Sequence, residues 1–332
     1  MAKKTILVCG GAGYIGSHTV IELLNKGYEV VIADNLEYGH KQAVSGDSRL
    51  VVGDLRDKVF VSDLFKQFKF DAVIDFAAYI EVGESVENPL KYFENNVSGA
   101  MNVLEAMKHN DVNHIVFSST AAVYGLPKIV PINEDSPTIP INPYGESKLM
   151  TEKILKWSDE AHGITYAALR YFNVAGAHLS GKIGEDHRPE THLIPCVIKS
   201  ALNGETVGIF GDDYNTPDGT CVRDYIHVTD LANAHVLAVE KLIGGSASSV
   251  YNLGNGAGFS NMEILSMAKK VSGIDIKHEV RPRRAGDPDV LIASSEKICS
   301  ELGWKPKFAA LEKIIETAFN WHKNNPKGYG NE

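Results

Sequence analysis

The 332-residue chain has little cysteine, no excess of positive charge and no long apolar run. Its four cysteines, Cys9, Cys196, Cys221 and Cys299, lie far apart without a C-x-x-C, which argues against a disulfide framework and a structural zinc motif. The twelve histidines are scattered and no H-E-x-x-H occurs, so no metal is expected. Lys and Arg total 33 against 42 Asp and Glu, a net charge of −9 that disfavours a broad nucleic-acid surface. The apolar run after "MAKK" breaks into glycines after about five residues, too short for a signal segment or a membrane span. We therefore expect a cytoplasmic protein with neither nucleic acid nor membrane as partner. No G-x-S-x-G is present, which removes a hydrolase built on that elbow.

What the chain does have is an alternation of short apolar runs and helical patterns. "TILVCG" (5–10), "EVVIAD" (29–34), "RLVVGD" (49–54), "DAVIDFAA" (71–78) and "HIVFSST" (114–120) read as strands buried on both faces. The segments between them carry apolar residues at three and four spacing, and a long helix is predicted over 143–162, followed by a strand over 165–172. Beyond residue 175 the rhythm changes. Residues 176–192 read as an irregular polar loop, followed by helices ("LIPCVIKSALNG", "SNMEILSMAKKVSG", "LEKIIETAFNWHKN") mixed with short strands ("VGIF", "VYNLG", "KHEVRP"). The fold class is α/β, a Rossmann-type doubly wound parallel sheet with a smaller mixed α/β C-terminal lobe. The expected division is a dinucleotide-binding domain over 1–175 and a substrate lobe over 176–332, with some chain crossing between them.

"CGGAGYIG" follows the first strand and opens the first helix, placing Gly10, Gly13 and Gly16 where a tight turn, close backbone approach and helix–strand packing need them. A Walker loop is excluded because Ser17 and His18, not Lys, follow Gly16. Asp34 ends the second strand eighteen residues past Gly16, where a carboxylate accepts from an adenosine ribose. Asn35 follows, and no Arg comes at once, so NAD is favoured over NADP. Asp54 and Leu55 fall where an adenine would lie, or are simply a strand-end acid and a core residue.

At the end of the fifth strand "SSTAAVYG" supplies the hydroxyls of Ser118, Ser119 and Thr120, and the next helix carries Tyr144 and Lys148 one turn apart on one face. With thirteen tyrosines, roughly one Tyr-x-x-x-Lys pair arises by chance. A second pair, Tyr124 and Lys128, is interrupted by Pro127, which breaks helical geometry. A phenol of pKa about 10 is a poor base unless its anion is stabilised, and a nearby Lys and a cationic nicotinamide ring are suited to that.

Glycine turn, rim hydroxyl and Y-x-x-x-K together resemble the extended short-chain dehydrogenases/reductases. "GGAGYIGSHTV", "GDLRD", "VGESVENPLKYFENNVSGAMNVLEAM", "PYGESKLMTE", "LRYFNVAGA", "GTCVRDYIHVTDLANAH" and "RPRRAGDP" narrow the resemblance to the UDP-glucose 4-epimerases, over nearly the whole chain. The resemblance implies an NAD-dependent isomerase, a homodimer, that interconverts UDP-galactose and UDP-glucose of galactose metabolism through a 4-keto intermediate. It implies Thr120, Tyr144 and Lys148 as the catalytic set. Tyr14, Ile15, Asp34, Asp54, Leu55, Phe76, Ala77, Ala78, Asn96, Lys148 and Phe172 would line the cofactor.

For the sugar nucleotide the same resemblance points to Thr120, Tyr144, Asn173, His192 and Leu193, to the backbone of Gly208, Ile209 and Phe210, and to Arg223, Arg284 and Asp287. A guanidinium suits a diphosphate because its planar fork bonds two oxygens. Arg281 and Arg283 read as solvated surface residues. The chain departs from the family pattern in having His192 where some members have Asn, and in lacking a Lys in "YIEVGES". It also has Leu291 where members restricted to non-acetylated sugars carry Tyr, which makes UDP-GlcNAc and UDP-GalNAc candidate substrates. The alternatives weighed are a sugar-nucleotide 4,6-dehydratase and a non-catalytic NAD-binding regulator. The first is disfavoured because Ala121 and Ala122, not an Asp–Glu pair, follow Thr120; the second because both Tyr144 and Lys148 are retained.

Overall fold

The computed structural model describes residues 3–284 and 287–330; Ala285 and Gly286 of the "RPRRAGDP" motif lie outside it. The first half runs β1 (Thr5–Cys9), α1 (Tyr14–Asn25), β2 (Glu29–Asp34), β3 (Arg49–Val52), α2 (Lys58–Gln67) and β4 (Ala72–Asp75). Then come α3 (Val82–Glu87), α4 (Pro89–Tyr92), a π-helical turn (Phe93–Ser98), α5 (Gly99–His109), β5 (His114–Thr120), α6 (Pro143–His162), β6 (Thr165–Tyr171) and β7 (Asn173–Ala175). The second half comprises α7 (Leu193–Asn203), β8 (Val207–Phe210), β9 (Val222–His227), α8 (Val228–Ile243), β10 (Ser249–Leu253) and β11 (Gly258–Ser260). It ends with α9 (Asn261–Ser272), β12 (His278–Arg281), β13 (Val290–Leu291), α10 (Glu296–Leu302) and α11 (Leu311–Asn324).

Seven parallel strands form the main sheet in the order β10-β6-β5-β4-β1-β2-β3. Its strands read as unbroken apolar runs because alternate residues enter two different cores. In β1, Ile6 and Val8 join a cluster with Val20, Leu23, Leu231 and Val239 on the α1–α8 side. Leu7 and Cys9 face the other way, onto Val61, Leu64, Val103 and Met107 of α2 and α5. A third core, around Val197, Ile264, Ile314 and Ile315, joins α7, α9 and α11 beneath the short strands.

The crossing of the chain has a definite form. After β6 the polypeptide leaves the main sheet, builds β7, β8 and β9, and returns through α8 to add β10 at the sheet edge beside β6. The element pattern read from the sequence does not resolve β9 or α8. Arg223, Asp224 and His227 in β9 are buried polar residues, which erases the apolar signature of a strand. The helix α6 is legible because its ends are marked. Asn142 Oδ1 accepts from Gly145 N–H at 2.8 Å, Pro143 occupies the first turn, and Gly163 closes the helix in the left-handed region.

Candidate active site

The C-terminal ends of β1, β2, β4 and β5 meet at one rim of the sheet, the position where such folds bind ligands. Gly10 leaves β1 at φ +71, and a Cβ there would stand 2.9 Å from Ala77 N; a Cβ on Gly16 would reach 2.2 Å from the Gly10 carbonyl oxygen. Both positions therefore demand glycine. Gly13 starts α1 with no side-chain cap, leaving backbone N–H groups for an anion. Asp34 is buried and accepts hydrogen bonds from Ala12 N–H (2.9 Å) and Leu36 N–H (2.8 Å). Burial pushes its carboxyl up, against the lowering effect of those two bonds.

One cleft is lined by Gly10, Gly13, Asp34, Asn35, Asp54, Leu55, Phe76, Ala77 and Ala78, so these expected cofactor residues share a single surface. Asp54 does not face it alone. Arg56 clasps that carboxylate through Nε (3.0 and 3.1 Å) and Nη2, which holds Asp54 below the ordinary carboxylate range. Arg56 was missed because it lies in the turn after β3, outside the stretch that follows Asp34.

Three of the expected cofactor side chains are engaged elsewhere. The Tyr14 hydroxyl donates to the Gly176 carbonyl at 2.6 Å, tying α1 to the loop after β7. Ile15 packs into the α1–α8 core. Asn96 is spent on structure: Oδ1 accepts from Tyr79 N–H at 2.8 Å, and Nδ2 donates to the Tyr79 carbonyl and to Ser147 Oγ. Its neighbour Asn95 is among the residues that line the cleft.

Thr120 ends β5, and its hydroxyl accepts from Ala122 N–H at 3.1 Å, capping the 3-10 turn over 121–124. Burial raises the Tyr144 pKa, the nearby Thr120 hydroxyl lowers it, and the Glu81 carboxylate raises it. Lys148, one turn further along α6, is 2% exposed. Its Nζ donates to the Ser118 carbonyl at 2.8 Å and lies 4.9 Å from the Phe117 ring centroid. Burial pulls its pKa down to about 8, although Asp75 and Glu152 oppose this. Its ammonium is thus anchored to β5. Tyr124 of the second pair is a buried structural residue, its hydroxyl donating to Asn252 Oδ1 at 2.7 Å and accepting from Arg170.

Arg223 on β9 is buried, with Nη1 donating to the Val222 and Pro288 carbonyls, both at 2.9 Å. Its Nη2 stands 3.5 Å from Asp287 Oδ1 and makes no hydrogen bond. Such an orphaned, preoriented guanidinium nitrogen is suited to an anionic oxygen. Arg284 lies over the Phe210 ring at 4.1 Å, above the strand holding Gly208 and Ile209. Ile209 itself points into the third core, so only its backbone is open to a ligand. Arg281 and Arg283 pair on the surface with Glu279 and Asp213. Asn173 on β7 stands opposite Tyr225 on the neighbouring β9. His192 precedes Leu193 at the start of α7, but its Nδ1 faces Glu185 and Glu190, each at 3.1 Å, leaving Nε2 for any other partner. Leu291 pairs with Arg223 across β13 and β9 and packs with Phe172, Val123, Tyr124 and Leu149.

Residues 6–254 match the NAD dependent epimerase/dehydratase family. The chain is 56% identical over 327 residues to a UDP-glucose 4-epimerase of Lacticaseibacillus casei, covering 98% of this chain and 99% of that protein. A crystal structure of a UDP-glucose 4-epimerase superimposes with a TM-score of 0.97 at 52% identity, covering 99% of this chain and 100% of the other. The structure of UDP-glucose 4-epimerase from Brucella ovis in complex with NAD superimposes with a TM-score of 0.93 at 45% identity, over 95% and 97% of the two chains. With the glycine turn, Asp34, Thr120, Tyr144 and Lys148 gathered at one rim, the chain belongs to the NAD dependent epimerase/dehydratase family and, within it, to the UDP-glucose 4-epimerases.

Proposed function

We propose that this protein interconverts UDP-galactose and UDP-glucose by reversible oxidation at C4 of the sugar, as an NAD-dependent isomerase. The observation that carries this reading is the placement of Thr120 at the end of β5, with Tyr144 and the buried Lys148 one turn apart on α6 and Lys148 Nζ bonded to the Ser118 carbonyl of β5, at the sheet rim where the glycine turn floors a cleft. The glycine turn and the α1 N-terminus would hold the diphosphate of NAD and Asp34 its adenosine ribose, and the bound cofactor would supply a reversible hydride acceptor for C4.

Tyr144 takes the proton of the sugar 4-hydroxyl, with Thr120 in its hydrogen-bond path, and gives it back when the opposite configuration forms. Burial raises its pKa, which makes the phenolate a stronger base once formed; positive charge near it, from Lys148 or the nicotinamide ring of bound NAD, would favour the phenolate on the outward step. Arg223 and Arg284 supply the local positive charge that a diphosphate requires in a chain of net charge −9. A 4,6-dehydratase is disfavoured because Ala121 and Ala122 place no acid or base beside Thr120.

We read residues 1–175, completed by α8 and β10, as the dinucleotide domain and the remainder as the substrate lobe, in a cytoplasmic enzyme. Among the described residues no helix is long and apolar enough to cross a membrane. Val86, Leu90, Met101 and Trp157 are at least half exposed on α3, α4, α5 and α6, helices that pack side by side. An apolar patch of that kind marks an interface, and we assign it to a second copy of the chain. Light scattering should give twice the chain mass at micromolar concentration; a monomer there would contradict the assignment.

Tyr144→Phe should keep NAD and UDP binding while turnover falls about 10²–10⁴-fold, the usual worth of a positioned general base; near-normal turnover would remove Tyr144 from that role. Asp34→Ala should purify with less NAD per chain than the parent, and unchanged NAD content would count against the ribose contact. The half-buried Leu291 leaves more room than a Tyr beside Phe172. UDP-GlcNAc should therefore also be epimerised, and Leu291→Tyr should lose that activity while retaining UDP-galactose turnover. Failure of the parent enzyme to convert UDP-GlcNAc at saturation would sink the idea.

A further inference from the structure

The loop between β7 and α7 gathers four possible metal ligands within eight residues. Glu185, His187, Glu190 and His192 each contribute one ligand atom, and these atoms all lie within 4.8 Å of one another. Glu185 Oε1 is 3.2 Å from His187 Nδ1 and 3.1 Å from His192 Nδ1. His192 Nδ1 is 3.1 Å from Glu190 Oε1, and His187 Nδ1 is 3.9 Å from Glu190 Oε2. Zinc bonds to imidazole nitrogen and carboxylate oxygen run about 2.0–2.2 Å, so a tetrahedron of such ligands has edges of roughly 3.4 Å. The observed separations straddle that value.

A second observation points to a cation at the centre. The Glu190 side chain is 8% exposed, yet its Oε2 accepts no hydrogen bond; the buried Nδ1 of His187, which faces it, has no hydrogen-bond partner either. Lys199 Nζ comes no closer to Glu190 Oε2 than 3.7 Å. Two carboxylates withdrawn from water are costly unless their charge is met. A divalent ion between two neutral imidazoles cancels both charges and occupies both orphaned atoms.

We propose that Glu185, His187, Glu190 and His192 form a four-coordinate Zn²⁺ site. Mixed imidazole and carboxylate donors in this number suit zinc, whereas calcium and magnesium favour more ligands, all of them oxygen. Four protein ligands make the site structural, with no open position for catalysis. The loop it would clamp is already gripped from several sides. Trp321 Nε1 donates to the Glu185 carbonyl at 3.0 Å, the His40 ring meets the Asp186 carbonyl at 2.9 Å, and Tyr14 packs edge-on against His187. Bound zinc would hold His192 and Leu193 at the mouth of the sugar-nucleotide pocket; that consequence rests on the functional reading above, whereas the site does not.

The test uses tag-free, full-length, NAD-saturated protein stripped with a chelator and titrated with Zn²⁺ alone, by calorimetry against a competing chelator. Co²⁺ is substituted in parallel to read the coordination number from its visible absorption. One equivalent of Zn²⁺ and an intense four-coordinate Co²⁺ spectrum are expected. His187→Ala and Glu185→Gln should each weaken binding by more than the roughly 10–100-fold typical of losing an outer-shell partner. NAD content reports whether each variant folds, and the isosteric Glu185→Gln guards against misfolding of the other. No stoichiometric uptake by the parent, a weak six-coordinate Co²⁺ spectrum, or parent-like affinity in a folded variant would overturn the site. Metal stoichiometry is read without turnover, so loss of the epimerase reading and loss of the zinc site would be seen separately.

Discussion

An ammonium group almost sealed from water lies at the centre of this protein. Burying Lys148 is costly, and the structure meets the cost with a carbonyl acceptor at 2.8 Å, an aromatic face and two carboxylates, Asp75 and Glu152. Desolvation still dominates, so its pKa falls to about 8. The folded-state value lies below the unfolded one, so the unfolded chain binds more protons between about pH 8 and about pH 10.4, and this group's contribution to stability rises with pH across that window. At neutral pH the protein carries that strain to hold a charged group against β5, on the helix that carries Tyr144.

The same charge is linked to the rest of the fold through buried polar contacts. Glu152, one turn beyond Lys148, accepts from Ser119 and from Arg170 Nε and Nη2 at 2.9 and 2.6 Å. Arg170 Nη1 donates to Tyr124, Tyr124 donates to Asn252, and Asn252 Nδ2 donates to the Ile132 carbonyl at 3.0 Å. Ile132 bridges to Ala293, two residues from Leu291. A satisfied network of this kind fixes α6 against β5 and β6 with little tolerance for a missing member. It also connects Lys148 and Glu152 on α6 with the strand carrying Leu291.

The two lobes meet by threading rather than by simple contact. Because β9 carries Arg223, α8 packs on the main sheet and β10 joins its edge, one continuous stretch, 222–253, links the short strands to the main sheet. Asp224 reinforces this join. Fully buried, it accepts hydrogen bonds from the N–H groups of Asn255, Gly256 and Ala293, which pin the loop after β10 and the strand carrying Leu291.

Short-range chemistry was legible in the sequence. Unbroken apolar runs defined β2 and β5 to the residue, Asn142, Pro143 and Gly163 bounded α6, and glycine spacing located the tight turn from β1 into α1, because each depends on backbone geometry within a few residues. Side-chain allegiance was not legible. Whether Asn96 faced a ligand or the Tyr79 backbone, whether Asp54 was free or held by Arg56, and where the Lys148 ammonium pointed all depended on which strand ends and loops met. The E-x-H-x-x-E-x-H run at 185–192 was visible all along, but it has no helical spacing to place its side chains on one face. Only the folded loop, gripped by Trp321, His40 and Tyr14, turned those four groups inward, since a hydrogen-bonding or metal-binding partner is selected by distance in space and not by separation along the chain.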